Sequence, residues 1–297
     1  MDNGRRLGWS HDQAAGLRRL FGTGSARTIA FFGGHTGVGT TRIVAQAATA
    51  LAHNEKLVLA VDECGGSCGL VTSLGLASRF DFAQVLERHL GLSQVVLCAS
   101  DMLSVLPAWR AAQGGGSLNR TQQQAWSEYM PVLRRARDFV LVDAAVPTAA
   151  KRDVSPLVAS ANHWVVVAAA GSAAITDSYA LIKRLVAAAG PRRLSVVLTR
   201  TREEGEARSV FENLQRVARQ HLGIQLDLLG AVPFDLRWQR SPGVLSHAAD
   251  DTPATQACRR LAGALLELPG GETTACSTKA VMPMSQVGVR AAVGLAA

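Results

Sequence analysis

Short apolar runs alternate along this chain with longer segments whose apolar residues recur at helical spacing. Rich in valine, leucine and phenylalanine, the runs span residues 28–32, 56–62, 138–143, 164–168, 194–200 and 228–235. Near-continuous apolar runs of this kind are typical of strands that are buried on both faces of a parallel sheet. Among the segments between and after them, 121–135, 172–185 and 253–268 are predicted to be helices. With 297 residues, the chain is expected to form one large α/β domain or two small ones.

Residues 28–44 combine a strand, a glycine-rich loop and the start of a helix. The loop holds Gly33, Gly34, Gly37 and Gly39. Glycines allow backbone N–H groups to converge on an anion, and the N-terminus of the following helix adds a partial positive charge. The spacing from Gly34 to Gly39 is that of a P-loop, and Thr41 stands where the magnesium-binding hydroxyl belongs. The position that a P-loop fills with lysine holds Thr40.

No nearby residue of the sequence replaces that lysine. The first lysine of the chain is Lys56, beyond the helix that follows the loop. Arg42 is two residues from Thr40, which places it roughly 200° around the helix. We therefore expect Arg42 to point away from the loop.

The loop resembles the deviant Walker A loop of the MinD/ParA family of P-loop ATPases, whose pattern is K-G-G-x-G-K-[ST]. The first lysine of that pattern reaches phosphates bound by the dimer partner. His35 stands at its position, Thr36 replaces the following glycine, and Thr40 replaces the second lysine. The resemblance implies a site for ATP or ADP with Mg²⁺ in which both lysines are missing. Its implied nucleotide contacts are Gly34, Gly37, Val38, Gly39, Thr40, Thr41 and, where the family reads adenine with asparagine, Thr199.

Two of the predicted strands end in an aspartate, as strands of the MinD/ParA family do. The resemblance makes Asp62, Asp143 and Thr41 the implied ligands of Mg²⁺. The family's next aspartate, which acts on the attacking water, falls on Cys64, and its neighbour Glu63 is expected to point elsewhere. The run after Asp143 also lacks the family's switch glycine. The residues alone leave a second interpretation of Asp62, as an acid that caps the next turn.

Residues 12–18, with the sequence DQAAGLR, match the DQAxxLR segment of the flagellar FlhG/FleN branch of the MinD family. All five specified positions agree: Asp12, Gln13, Ala14, Leu17 and Arg18. In that branch the segment activates FlhF, a signal-recognition-type GTPase, so Asp12, Gln13, Leu17 and Arg18 are the implied activating residues. The plainer alternative is a short capped helix that packs on the core.

The resemblance covers most of the chain after residue 27. Residues 172–185 are similar to the SITDAYALIK helix of the flagellar branch. The implied fold is α/β, with a doubly wound, mostly parallel sheet of the P-loop NTPase type and ligand at the carboxyl ends of its strands. The expected organisation is an activator-like helix and linker in 1–27, a single MinD-like domain in 28–269 and a flexible tail in 270–297.

Composition narrows the setting and the partners. The net charge is +8, but the arginines are scattered without a dense basic run, so no nucleic-acid partner is expected. No apolar run approaches about 18 residues, so no membrane-spanning helix is expected. Five scattered cysteines fit a reduced cytoplasmic setting. The tail 270–297 is a candidate for weak contact with a membrane surface, which would place the protein beside the inner membrane at the cell pole.

Two functions of different class are compatible with these residues. One is a regulator of flagellar placement and number that presents residues 12–18 to an FlhF-like GTPase and has lost ATP hydrolysis. The other is an active ATPase that cycles between a monomer and an ATP-bound, membrane-associated homodimer. A ParA-like DNA-partition protein is a third reading, which the scattered arginines disfavour. The residues at His35, Thr40 and Cys64 favour the first, because phosphoryl transfer depends on charge stabilisation.

Overall fold

The structure is a computed structural model that describes residues 26–113, 119–148, 153–190, 194–240 and 251–269. The predicted activator segment 12–18 and the predicted tail 270–297 lie outside these residues. The two terminal boundaries expected from the sequence therefore stay predictions.

The described residues contribute eight strands to one sheet. The strands are β1 (Arg27–Gly33), β2 (Val58–Asp62), β3 (Leu97–Ser100), β4 (Leu103–Pro107), β5 (Phe139–Asp143), β6 (His163–Ala169), β7 (Leu194–Thr201) and β8 (Leu226–Pro233). Their order across the sheet is β3-β4-β2-β5-β1-β6-β7-β8. All neighbouring pairs are parallel except β3 and β4, which are antiparallel. The expected α/β fold with a mostly parallel sheet is confirmed.

Helices cover both faces of this sheet. Within the described residues they are α1 (Thr40–His53), α2 (Leu70–Ser73), α3 (Phe82–Leu86), α4 (Leu92–Val95), α5 (Trp109–Gln113), α6 (Arg120–Arg134), α7 (Pro156–Ala159), α8 (Ser172–Ala189), α9 (Glu204–Leu222), α10 (Leu236–Arg240) and α11 (Pro253–Glu267). In β1, Ile29 and Phe31 join the core beneath α1 and α11, whereas Ala30 and Phe32 join the core beneath α6, α8 and α9. This alternation explains why the strand is apolar at each position from Ile29 to Phe32.

The carboxyl ends of the central strands meet at one edge of the sheet. Asp62 pairs with Asp143 between β2 and β5, and Phe31 pairs with Asp143 between β1 and β5. The two predicted acids and the beginning of the glycine loop are therefore neighbours. This edge is where doubly wound α/β sheets bind their ligands.

Candidate nucleotide site

The glycine loop folds from β1 into α1 through two glycines in the left-handed region. Gly37 has φ +80° and Gly39 has φ +98°, conformations that disfavour any residue with a Cβ. The N–H of Gly34 donates to Val167 O at 2.9 Å, and the N–H of Ile43 donates to Gly39 O at 3.0 Å. The loop is thus fixed to β6 at its start and to the first turn of α1 at its end.

The first two glycines of the loop are required by close packing. A Cβ on Gly33 would lie 2.7 Å from Thr40 Oγ1, and a Cβ on Gly34 would lie 2.7 Å from Ser178 Oγ of α8. Thr40 is buried, and its hydroxyl has no hydrogen-bond partner in the part of the chain that the structure describes. The position of the missing lysine is therefore occupied by an unpaired polar group.

A cleft of about 910 Å³ opens in front of the loop. Its wall brings together most of the residues predicted for the site: Gly34, His35, Gly37, Val38, Gly39, Thr40, Thr41, Cys64 and Asp143. The remaining wall comes from the turn after β2, from α2, and from Ala144, Val146 and Arg184. A cradle of backbone N–H groups beside a carboxylate has the composition of a phosphate and metal site.

A second cavity of about 250 Å³ adjoins the cleft and shares Gly37, Val38 and Gly39 with it. Thr199, the predicted base-reading residue, lies in this second cavity and donates its hydroxyl to Val38 O at 3.1 Å. The hydroxyl proton of Thr199 is therefore already donated to the backbone of the loop. Two other buried atoms of the same wall, Asp235 Oδ2 and Trp238 Nε1, have no hydrogen-bond partner among the described residues.

Arg42 does not lie where its position on the helix predicted. It contributes to the walls of both cavities, with its guanidinium carbon 5.9 Å from the centre of the Trp238 ring. Partial burial lowers its pKa from the ordinary value. The expectation failed because the aromatic ring of Trp238, in the same wall of the second cavity, gives the guanidinium a face on which to stack.

Asp143 is 1% exposed, and neither of its carboxylate oxygens has a hydrogen-bond partner within the described residues. Burial raises the pKa of Asp143 to about 7, with the neighbouring Asp62 and Glu63 adding to the rise and the Thr41 hydroxyl opposing it. A buried carboxylate that no cationic side chain of the described residues neutralises is costly unless a metal ion does so. Thr41 and Asp143 together therefore fit the oxygen-donor set of Mg²⁺.

Asp62 has a different environment. Its Oδ1 accepts from the N–H groups of Cys64 at 3.2 Å and Gly65 at 2.7 Å, and its Oδ2 accepts from the N–H of Val71 at 3.0 Å. The carboxylate caps the turn after β2 and fixes the start of α2. This is the capping interpretation that the sequence left open, and the geometry favours Asp143 over Asp62 as a direct ligand of Mg²⁺.

Cys64 stands where the family places its water-orienting aspartate. Its Sγ donates to Asp143 O at 3.7 Å and to Ala144 O at 3.6 Å. The residue as a whole is exposed, but desolvation beside the carboxyl end of β5 raises the pKa of its thiol far above the ordinary value, and the charges of Asp143, Asp62 and Glu63 raise it further. The thiol stays protonated near neutral pH and does not supply the base that an aspartate would.

We expect Cys64 to react with iodoacetamide at least about tenfold more slowly than Cys68 at pH 8, because only the thiolate is a nucleophile. The measurement compares two variants that each keep one of these cysteines, with the other four cysteines replaced by serine. Cys68 is the matched control, since it is exposed as Cys64 is and lines the same cleft. Equal alkylation rates would show that the pKa of the Cys64 thiol is not raised above that of an ordinary cysteine.

Glu63 has a role that the sequence did not reveal. Only 2% exposed, it accepts from Ser155 Oγ through Oε1 and from the N–H of Ala145 through Oε2 at 3.2 Å. Ser155 in turn caps α7 by accepting from the N–H of Val158 at 3.2 Å. Glu63 thus fastens the end of β2 to both the segment after β5 and the helix beyond it. The only sign of this role in the sequence was a second acid directly after the acid that ends the strand.

Comparisons with known proteins identify relatives of this chain. The family model described as "Cellulose biosynthesis protein BcsQ" matches residues 27–183, just over half of the chain. The protein "Antiactivator FleN" of Pseudomonas aeruginosa is 28% identical over 209 residues, which cover 70% of this chain and 74% of that protein.

Solved structures share the fold. The MinC:MinD cell division complex of Aquifex aeolicus matches with a TM-score of 0.63 and 23% identity, over 81% of this chain and 96% of the other. MinD of Pyrococcus horikoshii, solved with Mg-ADP, matches with a TM-score of 0.61 and 18% identity, over 82% and 97%. At these identities the likeness concerns the fold alone. Within the described residues, no helix combines the length and apolar character that crossing a bilayer requires.

Proposed function

Since this chain belongs to the family described by the BcsQ model and to the FlhG/FleN branch of MinD/ParA-like P-loop proteins, we propose that it regulates flagellar placement and number. It does so by presenting residues 12–18 to an FlhF-like GTPase, and its own ATP hydrolysis is lost. The observation that carries this proposal is the cleft, which keeps the loop backbone and Asp143 while His35 and Thr40 occupy the two lysine positions. Activation of a partner GTPase by residues 12–18 does not require those lysines.

The flagellar reading is supported over cellulose biosynthesis by the N-terminus. The family model matches from residue 27 onward, so it does not include residues 12–18. That segment agrees with the activator pattern at all five specified positions, and the relative named an antiactivator spans 70% of the chain. The segment is the feature that a generic P-loop domain would not carry.

Loss of hydrolysis follows from the chemistry of phosphoryl transfer, which relies on positioning and on neutralising charge. Thr40 and His35 bring no fixed cation, and the protonated Cys64 thiol brings no acceptor for the attacking water. Binding of ATP or ADP remains feasible through loop N–H groups, with Thr41 and Asp143 as Mg²⁺ ligands. A bound nucleotide would then act as a structural ligand, and a homodimer would have to form without the trans lysine.

A peptide of residues 1–25 is expected to stimulate GTP hydrolysis by a purified FlhF-like GTPase without the rest of the chain. Gln13 and Arg18 supply polar groups to the GTPase site, and Leu17 supplies buried area. Gln13→Ala should abolish stimulation while binding persists, whereas Leu17→Ala should weaken binding. The measurements are steady-state phosphate release and peptide affinity by fluorescence anisotropy.

Ala15→Ser is the matched control, because position 15 is unspecified in the DQAxxLR pattern. A peptide that neither binds nor stimulates would return residues 12–18 to a packing role and remove the proposed function. Stimulation by the full chain that depends on ATP would instead favour the active-ATPase alternative.

A further inference from the structure

The wall of the cleft contains a cation that lies far from the loop in the sequence. Arg184 belongs to α8, and it lines the same cleft as Thr40, Thr41 and Asp143. Arg184 lies within the predicted helix 172–185, and nothing in the sequence indicates that it reaches the loop. The fold supplies that link.

The packing of α8 explains how Arg184 reaches this wall. Ser178 of α8 contacts the loop directly, since a Cβ on Gly34 would lie 2.7 Å from Ser178 Oγ and 3.5 Å from Ser178 Cα. The apolar side of α8, including Leu181 and Ile182, is buried against the sheet. Arg184 is exposed, and it lines the cleft together with Ala144 and Val146 of the segment after β5. A long, charged side chain is therefore placed at the rim of a site made for anions.

The other basic residues of this wall are less suited to meet a phosphate. Arg42 is partly buried with its guanidinium 5.9 Å from the Trp238 ring centre, toward the second cavity. The Nδ1 atom of His35 is 2.8 Å from the carbonyl oxygen of Thr36, which engages that ring nitrogen in the loop itself. No lysine lines the cleft within the described residues.

We propose that Arg184 is the cation that contacts the phosphates of a nucleotide bound in this cleft, in place of the missing loop lysine. A guanidinium carries a fixed charge and pairs with phosphate oxygens through two parallel hydrogen bonds. Arg184 and the loop N–H groups would neutralise the charge of the phosphates, and Asp143 and Thr41 would hold Mg²⁺. The proposal rests on the nucleotide-binding part of the proposed function and is independent of its activator part.

The test is calorimetric titration of the full-length protein with Mg-ATP and, separately, with inorganic tripolyphosphate and Mg²⁺. Arg184→Gln should weaken the binding of both probes by about tenfold or more, the size of one lost charge-assisted hydrogen bond. Arg184→Lys should restore part of that loss. Lys183→Gln removes an equal charge from the adjacent exposed position, outside the wall of the cleft, and should change either affinity less than about twofold.

Three results would overturn the assignment. Arg184→Gln could bind both probes as the wild type does, Lys183→Gln could weaken binding as much as Arg184→Gln, or the wild type could bind neither probe. A loss confined to Mg-ATP, with tripolyphosphate unaffected, would also count against a phosphate contact. Stimulation of the GTPase by the 1–25 peptide is unaffected by any of these, so failure here and failure of the activator function are separable.

Discussion

Replacing Thr40 by lysine is expected to tighten the binding of Mg-ATP by about tenfold to a hundredfold, the gain from one or two charge-assisted hydrogen bonds to phosphate. The backbone around this residue already has the form of a phosphate cradle, with Gly37 and Gly39 in the left-handed region and the first turn of α1 intact. The substitution adds the missing positive charge and does not require the loop to change its conformation.

The local packing is compatible with the longer side chain. The Thr40 hydroxyl lacks a partner in the described part of the chain, so its removal breaks no hydrogen bond there. Gly33 has no side chain to occupy the space beside residue 40, where a Cβ would lie 2.7 Å from the present hydroxyl. Adding His35→Lys should tighten binding further only where the protein dimerises, because in the family that lysine reaches the partner's phosphates.

Thr72→Lys is the matched control, since it places the same substitution in the opposite wall of the cleft, on α2. Calorimetric titration should show at most about a twofold gain for it, the effect of a charge that neutralises phosphate only through solvent. Hydrolysis by Thr40→Lys should stay poor because Cys64 remains. An affinity for Mg-ATP equal to that of the wild type would mean that the loop does not accept a triphosphate.

The fold was predictable because its strands are buried on both faces. Each residue of β1 from Ile29 to Phe32 is buried, so this run shows no alternation between a core face and a solvent face and is apolar at every position. Residues 94–99 are harder to assign from the sequence, because α4 (Leu92–Val95) ends just before β3 begins at Leu97. A short edge strand that is half exposed carries a weak pattern.

The site was only partly predictable. Loop glycines and strand-ending acids have fixed spacing in the sequence, so the positions of Thr41 and Asp143 followed from local pattern. Arg184 and Glu63 act across elements that are distant in sequence, and their contacts depend on how α8 and the segment after β5 pack. For Asp62, the sequence pattern allowed two roles, as a ligand of Mg²⁺ or as a cap of the next turn. The backbone N–H groups around its carboxylate favour the cap.

Glu63→Ala is expected to lower the free energy of unfolding by about 3 kcal/mol, the cost of leaving buried donors without an acceptor. The Ser155 hydroxyl and the N–H of Ala145 would both lose the carboxylate that they bond in an almost solvent-free site. The loss should be measured by chemical denaturation, with the slope against denaturant unchanged. Hydrogen exchange should accelerate at Ala145 and around Val158, where the cap of α7 is loosened.

Glu128→Ala is the control that distinguishes the loss of a buried carboxylate from the loss of an exposed carboxylate that also accepts hydrogen bonds. Glu128 also accepts two side-chain hydrogen bonds, from Arg88 at 2.7 Å and from Gln124 at 3.1 Å, but it lies exposed on α6. Water replaces such bonds, so its removal should leave the denaturation midpoint unchanged within error. If Glu63→Ala unfolded at the wild-type midpoint as well, Glu63 would not fasten β2 to the segment after β5. A lower denaturation midpoint in Glu63→Ala alone would show that Glu63 stabilises the fold because its hydrogen bonds are buried.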